Sequence, residues 1–163
     1  MRKEASTDLW VYDLLKEANL DYFTPQGSDI KEIHRALKTA SKSGTKNVGF
    51  PEYTGVVKDF LIVIEDKADL SFHEARDEHN ILKEDTSSNV NYAVNGALFY
   101  GKHLIKNTTY KKVIAIGVSG NEKRHRITPI FIDERLNYKE LPEIETFISF
   151  KEENIDEYYI KEI

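Results

Sequence analysis

The sequence contains no cysteine, and this absence limits both the setting of the chain and what it can bind. Without cysteine there are no disulfides and no thiolate metal ligands, which fits a reducing compartment. No apolar run approaches the roughly 20 residues that a membrane-spanning helix needs, and the first residues lack the apolar core of a secretory signal. We therefore expect a cytoplasmic protein with no membrane partner.

Glycine and proline are also scarce, and acidic residues outnumber basic ones. With 8 Gly and 4 Pro in 163 residues, 40% of them hydrophobic, the chain has the composition of a globular domain with one core. Its net charge is −5, whereas DNA-binding domains that work alone are more often basic, because phosphate contacts dominate their affinity. This balance argues against strong independent DNA binding, but it is compatible with a nucleic-acid enzyme whose other domains hold the substrate.

Hydrophobic periodicity predicts eight elements and an α/β or α+β sandwich around a central mixed sheet. The first two strands form either a hairpin or a tight parallel step, and the pattern leaves this open. Pro129 favours an edge or a bulge for the last strand. In the order helix, helix, strand, strand, helix, strand, strand, helix, the predicted elements span residues 4–18, 27–40, 52–57, 59–67, 89–106, 113–118, 126–132 and 141–163.

The stretch GFPEYTGVVKDFLIVIEDKAD, residues 49–69, carries most of the functional information. Its long apolar strand ends in Glu65, Asp66 and Lys67. Side chains alternate faces along a strand, so Glu65 and Lys67 point to one face and Asp66 to the other. Polar groups at the end of a buried strand are held in place by the core beneath them, which suits a functional site. Asp66 faces a helix layer and needs a partner there.

Glu52 supplies a second carboxylate if the two strands are neighbours. Two carboxylates a few ångströms apart repel each other unless a cation lies between them, and hard oxygen ligands suit Mg²⁺ or Mn²⁺. A metal in such a site lowers the pKa of bound water and stabilises charge on a phosphate oxygen. Lys67 can stabilise the same developing charge. The pattern predicts metal-assisted phosphodiester hydrolysis, and the alternative is a chance group of charged residues at a strand end.

The order Pro51-Glu52, then Glu65-Asp66-Lys67, resembles the PD-(D/E)xK nuclease superfamily, with Glu in place of the first Asp. Residues 4–132 are similar to the N-terminal nuclease domain of type I or type IIG-like restriction enzymes, which carry or partner an N6-adenine DNA methyltransferase. The resemblance implies a restriction-endonuclease-like three-layer α/β fold, with a central mixed β-sheet flanked by helices. The segments that carry it are KEASTDLWVYDLL, IHRALKTASKSG, GFPEY, DFLIVIEDKAD, YAVNGALFYGKHL and VIAIGVSG.

The resemblance also implies a Mg²⁺-dependent endonuclease acting on double-stranded DNA, with Mn²⁺ as a substitute metal. Glu52 and Glu65 would be the metal-binding, catalytic carboxylates, and Lys67 the catalytic lysine. The backbone carbonyl of Asp66 would be a further metal ligand. Glu4 matches the acidic residue of the first helix that approaches the metal in such nucleases, although its position also fits a solvated helix N-terminus.

Two accessory residues lie after the motif. Type I restriction subunits carry a Q-x-x-x-Y motif on the following helix, near the cut DNA, where this chain has Asn95 and two tyrosines. Asn95 can make a comparable polar contact. His73 is a candidate for contact with the DNA backbone, although a solvated loop is the simpler interpretation. The basic residues 123–126 fit either phosphate contacts or a solvated hairpin tip.

We divide the chain into a nuclease domain, residues 1–140, and a helical extension or connector, residues 141–163. The resemblance implies methyltransferase and target-recognition domains or subunits as partners, and dimerisation for double-strand cleavage. Two alternatives stay open: an inactive nuclease-fold module for DNA positioning or assembly, and a repair or junction-cleaving nuclease of the same fold. Four aromatic side chains of the connector look like an exposed surface that meets another component: Phe147, Phe150, Tyr158 and Tyr159.

Overall fold

The computed structural model describes residues 3–42 and 49–163, with side chains from residue 5 onward. It has the predicted fold class, an α/β architecture in which a six-stranded mixed sheet is flanked by helices, as in restriction-endonuclease-like folds. Among the described helices, none has the length and apolar character needed to cross a membrane.

The elements follow the predicted order, with short edge strands added at both sides of the sheet. The helices are α1 (Lys3–Glu17), α2 (Lys31–Leu37), α3 (Thr86–Asn91), α4 (Ala93–Asn107) and α5 (Ile155–Glu162). The strands are β1 (Thr24–Pro25), β2 (Tyr53–Val57), β3 (Phe60–Lys67), β4 (Lys112–Gly120), β5 (His125–Asp133) and β6 (Tyr138–Glu140), in that order across the sheet. Two 3₁₀ turns span Leu70–Phe72 and Ile148–Phe150.

The first two long strands, β2 and β3, form an antiparallel hairpin, which decides the alternative that the sequence left open. The turn passes through Lys58, whose φ of 53° is the left-handed conformation expected in a tight hairpin. β4 then runs parallel to β3 from Phe60↔Lys112 to Lys67↔Ser119. A parallel neighbour requires a crossover, and α3 and α4 supply it.

The central strand β3 is buried on both faces, so the fold has three layers. Phe60, Ile62 and Ile64 pack in the cluster that contains the α1 side chains and the C-terminal residues. Leu61 and Val63 pack in the opposite cluster, with α2 and α4. Strict alternation along β3 therefore assigns each polar residue at its end to a defined side: Glu65 and Lys67 to the α4 side, and Asp66 to the α1 side.

The α4 side of the site depends on a helix break that the sequence did not predict. One helix was expected over residues 89–106, but Tyr92 has an extended conformation, with φ −119° and ψ 139°, and separates α3 from α4. The N–H of Val94 in the first turn of α4 donates to the His73 carbonyl at 2.9 Å. Gly117, the β4 partner of Glu65, permits this close approach, because a Cβ there would lie 2.6 Å from the Val94 backbone nitrogen.

The prediction that Pro129 places its strand at an edge or a bulge is wrong. β5 is the penultimate strand, and Pro129 pairs with Ile116 of β4 without a bulge. β6 pairs only with residues 130–132. The Leu141 N–H donates to the Pro129 carbonyl at 3.0 Å, but proline has no N–H to return the bond. Pro129 therefore ends the pairing of β5 with β6, while the pairing of β5 with β4 continues past it.

The expected exposed aromatic surface of the tail is also wrong. Phe147, Phe150 and Tyr158 are buried in the cluster on the α1 side of the sheet, and Tyr159 packs against it. The Tyr158 ring meets the Phe150 ring edge-on, with centroids 4.9 Å apart. The tail thus contributes to the core beneath β3.

Candidate active site

The residues of the motif lie where β2 begins and β3 ends. Tyr53 pairs with Ile64 at the start of the β2–β3 ladder, so Glu52, directly before β2, lies at the same end of the sheet as Glu65. Gln26, just after β1, fixes Glu52: its backbone N–H donates to the Glu52 carbonyl at 3.0 Å, and its side-chain amide donates to Glu52 Oε2 at 2.7 Å. Both carboxylates predicted from the sequence therefore belong to one end of the sheet.

Glu65 lies on the α4 side and is only 4% exposed. Its Oε2 accepts a hydrogen bond from Lys42 Nζ at 2.7 Å, and this is an ion pair with both side chains largely buried. A Cβ at Gly96 of α4 would lie 3.2 Å from the same oxygen, so the glycine leaves room for the carboxylate. The Lys42 ammonium also lies 5.1 Å from the centre of the Tyr100 ring, within cation–π range.

Lys67 follows on the same face as Glu65, as the alternation of the strand predicted. Its Nζ donates to the carbonyl of Val90 in α3 at 3.1 Å. This bond uses one of the three ammonium protons. The lysine is therefore anchored at the sheet end and can still donate to a further acceptor.

Asp66 points to the α1 side, where it is 1% exposed. Neither of its carboxylate oxygens has a hydrogen-bond partner among the described residues, and the same holds for a buried oxygen of Asp8 in α1. Asp8, Glu52 and Asp66 each offer a carboxylate oxygen, and these atoms lie within 4.8 Å of one another. Asp66 was expected to need a partner, and the side chains that meet it are also acidic.

The crowding of acids has electrostatic consequences. Burial, the contact with Asp8 and the charge of Glu52 together raise the pKa of Asp66 far above that of an ordinary carboxyl. Burial, followed by the charges of Asp8 and Asp66, raises the pKa of Tyr53 to about 12. Burial and the neighbouring acids therefore favour the neutral form of the Asp66 carboxyl, whereas on the α4 side Lys42 pairs with Glu65.

Asp8 and Lys42 are the site residues that the sequence did not reveal. The helical pattern of α1 only placed Asp8 away from the apolar stripe. The one available signal was indirect, because a buried carboxylate at Asp66 requires a partner from a neighbouring layer. Lys42 lies in a polar stretch between two predicted elements, where hydrophobic periodicity gives no signal. The side chain of Glu4 falls outside the described residues, so its predicted role stays a prediction.

The accessory candidate Asn95 is completely buried. Its side-chain oxygen accepts from the Ala75 N–H at 2.9 Å. Its amide nitrogen donates to the carbonyls of Ala75 and Lys83, at 2.9 and 2.7 Å. All of these bonds hold the loop between β3 and α3 against α4, so Asn95 supports the shape of that loop from beneath.

The accessory candidate His73 is 1% exposed and not part of a solvated loop. One ring nitrogen lies 2.7 Å from Ser119 Oγ of β4 and the other 2.7 Å from Thr128 Oγ1 of β5. Burial, followed by the nearby charge of Arg126, lowers the pKa of His73 to about 4. The neutral imidazole therefore joins the segment after β3 to the sheet.

This neutral histidine predicts a pH dependence of stability. Between pH 6.5 and about 4 the unfolded chain binds a proton at His73 that the native state does not bind. The free energy of unfolding should therefore fall as the pH falls through this window. At about 1.4 kcal/mol per pKa unit, the loss is on the order of 2–3 kcal/mol. Urea unfolding at a series of pH values measures it, and His73→Gln should lose less by that amount. Equal losses in both proteins would contradict the assignment.

An open cavity of about 910 Å³ lies beside the sheet end, between α1, the residues after β3 and the β4–β5 hairpin tip. Lys123 and Arg124 of the basic cluster line it. The other two members of the cluster are engaged elsewhere: His125 pairs with Glu145 at 2.7 Å, and Arg126 with Glu143 at 2.9 Å. The cluster thus divides into two cavity-lining cations and two side chains that hold the tail.

Comparison with known proteins adds one relative. Over 161 residues, 98% of this chain, the sequence is 35% identical to the "Type II restriction enzyme and methyltransferase RM.BcgI" of Heyndrickxia coagulans. The chain is similar to a restriction-enzyme region. It spans about a quarter (25%) of the length of this relative. No family model matches the chain, and no solved structure matches it. The similarity supports the interpretation of the chain as a restriction-enzyme nuclease-like region.

Proposed function

We propose that this chain is a metal-dependent DNA endonuclease and the nuclease part of a restriction–modification enzyme. The observation that carries the proposal is the convergence of Glu52, directly before β2, with the end of β3 that bears Glu65 and Lys67 on one face. The similarity to a restriction enzyme and methyltransferase over nearly the whole chain supports it. The resemblance to the PD-(D/E)xK motif supports the same function.

The reaction is hydrolysis of a phosphodiester bond. Glu52, Glu65 and the Asp66 backbone carbonyl would hold Mg²⁺ or Mn²⁺, and oxygen ligands fit either metal. The metal, when bound, supplies an activated water and stabilises charge on a phosphate oxygen. Lys67, already anchored on Val90, would donate to the phosphate as its negative charge develops. To hold the metal, the Glu65 carboxylate would have to give up its present ion pair with Lys42.

The partners of the proposed function are double-stranded DNA and methyltransferase and target-recognition parts outside this chain. The relative's name joins a restriction enzyme to a methyltransferase, and this chain spans 25% of its length. The net charge of −5 agrees with a nuclease part that relies on other domains to hold DNA. Cleavage of both strands would need two copies of the site, hence dimerisation, and restriction of DNA would place the enzyme in the cytoplasm.

A plasmid assay tests the proposal. The chain at high concentration should nick or linearise supercoiled DNA with MgCl₂ or MnCl₂ and lose this activity in EDTA, whereas Glu65→Gln should be inactive with either metal. Absence of cleavage, together with a melting temperature that neither metal changes, would contradict the proposal. If a metal raises the melting temperature but no DNA is cleaved, the same assay should be repeated with the chain joined to its methyltransferase part.

The alternative function is an inactive nuclease-fold module that positions DNA or assists assembly. The ion pair between Lys42 and Glu65 favours it, because a carboxylate already compensated by a lysine needs no cation. In this alternative the chain would bind DNA within the complete enzyme, but neither Glu65→Gln nor EDTA would change any measured activity.

A further inference from the structure

We propose that the tip of the β4–β5 hairpin binds the phosphate backbone of double-stranded DNA through the side chains of Lys123 and Arg124. The proposal rests on the proposed function for the identity of its ligand. Neither cation belongs to the PD-(D/E)xK pattern, and neither would take part in the hydrolysis. Their role would be to hold DNA phosphates beside the bond that is cleaved.

The hairpin tip lies at the same end of the sheet as the candidate active site. β4 runs parallel to β3 and pairs Ser119 with Lys67, so the residues after Gly120 leave the sheet beside the end of β3. Neighbouring strands are about 4.8 Å apart, which puts the tip between β4 and β5 about 5–10 Å from β3. Phosphates of one DNA strand follow one another at about 3.4 Å along the helix axis. A duplex with one phosphate at Lys67 would therefore bring others near the tip.

Hydrogen bonds hold the backbone of the tip in one conformation. The Asn121 Oδ1 atom accepts from the N–H of Lys123 at 2.9 Å and from the N–H of Arg124 at 3.0 Å. The Asn121 N–H donates to the Arg124 carbonyl at 2.8 Å. The hydroxyl of Thr7 in α1 donates to the Gly120 carbonyl at 2.8 Å, and this bond is buried. The backbone that carries both cations is therefore ordered before a ligand binds, which lowers the entropy cost of binding.

The charges of Lys123 and Arg124 are not neutralised within the part of the chain that the structure describes. Both residues are exposed, and neither forms an ion pair with a described residue. The next two residues differ from them, because His125 and Arg126 contact carboxylates of the tail. A phosphate would supply the counter-charge that the tip lacks, and a guanidinium can bind one through two parallel hydrogen bonds.

The shape of the surface also fits a backbone contact of limited size. The two tip cations line the open cavity of about 910 Å³ beside the sheet end. Three carboxylates line the same cavity: Asp13, Asp69 and Glu122. Asp69 is engaged there, because it accepts from the N–H and the hydroxyl of Ser71 at 2.9 and 2.8 Å. Positive charge is thus confined to the tip, which suits about two phosphates and agrees with weak binding by a chain of net charge −5.

The single tryptophan of the chain can report on this contact. Trp10 lines the same cavity, and its ring centre lies 4.7 Å from that of His125, the residue after Arg124. A duplex bound at the tip should therefore change the tryptophan fluorescence. Titration of the chain with a short DNA duplex in EDTA, which prevents metal-dependent cleavage, should give a dissociation constant that rises steeply between about 50 and 200 mM salt.

The double variant Lys123→Ala/Arg124→Ala should bind the duplex at least about tenfold more weakly at about 50 mM salt. The slope of log affinity against log salt should become shallower by about 2, since each lost phosphate contact removes about 0.9. Arg124→Lys keeps the charge and should keep the slope. The matched control is Lys111→Ala/Arg135→Ala, which removes the same two residue types from exposed positions at the opposite end of the sheet. It should bind like the unchanged chain.

Three outcomes would overturn the proposal. Equal dissociation constants and salt slopes in the double variant and its control would place the phosphate contacts elsewhere on the chain. Binding by the unchanged chain without a change in Trp10 fluorescence would place the duplex outside the cavity. Absence of binding at the lowest salt would mean that the tip holds no phosphate.

The plasmid assay separates these outcomes from a failure of the proposed function. Metal-dependent cleavage, with normal DNA binding by the double variant, would remove the tip contact and leave the nuclease function standing. Binding that depends on the tip, without cleavage by the chain or by the complete enzyme, would keep the contact and favour the inactive module. Melting curves of both double variants show whether either substitution disturbs the fold.

Discussion

Replacing Lys67 with alanine should lower the rate of Mg²⁺-dependent DNA cleavage by a factor of about a hundred to a thousand. Removal of one donor that stabilises charge in the transition state has an effect of this size. Lys67 is the one cation on β3 that shares a face with Glu65, and Val90 holds its ammonium in place. Initial rates of plasmid nicking at saturating metal, by the chain or by the complete enzyme if the chain is inactive alone, measure the loss.

The matched control for this experiment is Lys58→Ala. Lys58 lies at the turn of the same hairpin, at the other end of the sheet, and its side chain is 41% exposed in an ion pair with Asp156. Its loss removes the same charge from the chain but not from the site, so cleavage should be unaffected. Cleavage by Lys67→Ala at the rate of Lys58→Ala would show that Lys67 has no part in the reaction. Melting curves of both variants separate a catalytic loss from a folding defect.

The central strand was predictable from the sequence because its signal is local. β3 was expected over residues 59–67 and spans Phe60–Lys67. An apolar run of this length can only be a strand buried on both faces or a helix segment, and the flanking residues favour the strand. Period-two alternation then fixed the sides of Glu65 and Lys67 before any tertiary contact was known. The hairpin with β2 also follows from the sequence spacing, because the two residues between the strands are too few for the crossover that a parallel neighbour requires.

The partners of the site residues were not predictable, because they come from elements distant in the sequence. Asp8 approaches Asp66 across 58 positions, and Lys42 reaches Glu65 across 23 positions. Periodicity reports which face of a helix is polar, but it does not report which strand that face meets. A polar residue on a helix is therefore predicted to face solvent unless the element that packs against that face is known. Asp66 was the exception, since its buried position alone demanded a partner.

Burial of the tail was missed for a related reason. The aromatic residues after Leu141 are interspersed with many charged residues, so a single helix drawn through them has no clean apolar face. The structure breaks the segment into a 3₁₀ turn and α5, and each directs its own aromatic side chain to the same cluster. Because the two short elements bury different sides of the chain, their apolar residues do not follow one helical spacing in the sequence.

Replacing Phe150 with alanine should lower the free energy of unfolding by about 3–5 kcal/mol, the usual cost of removing a phenyl ring from a core. Phe150 is fully buried in the 3₁₀ turn before α5 and meets the Tyr158 ring edge-on at 4.9 Å. The cluster that it joins also contains Ile64, directly before the motif. Chemical unfolding of the 163-residue chain measures the loss.

Ile148→Ala is the matched control, because Ile148 belongs to the same 3₁₀ turn and is 42% exposed. A surface substitution of this kind should change the free energy of unfolding by less than about 1 kcal/mol. A loss in Phe150→Ala no larger than that in Ile148→Ala would mean that the tail only rests against the sheet. The larger loss would mean that the tail stabilises the layer under β3.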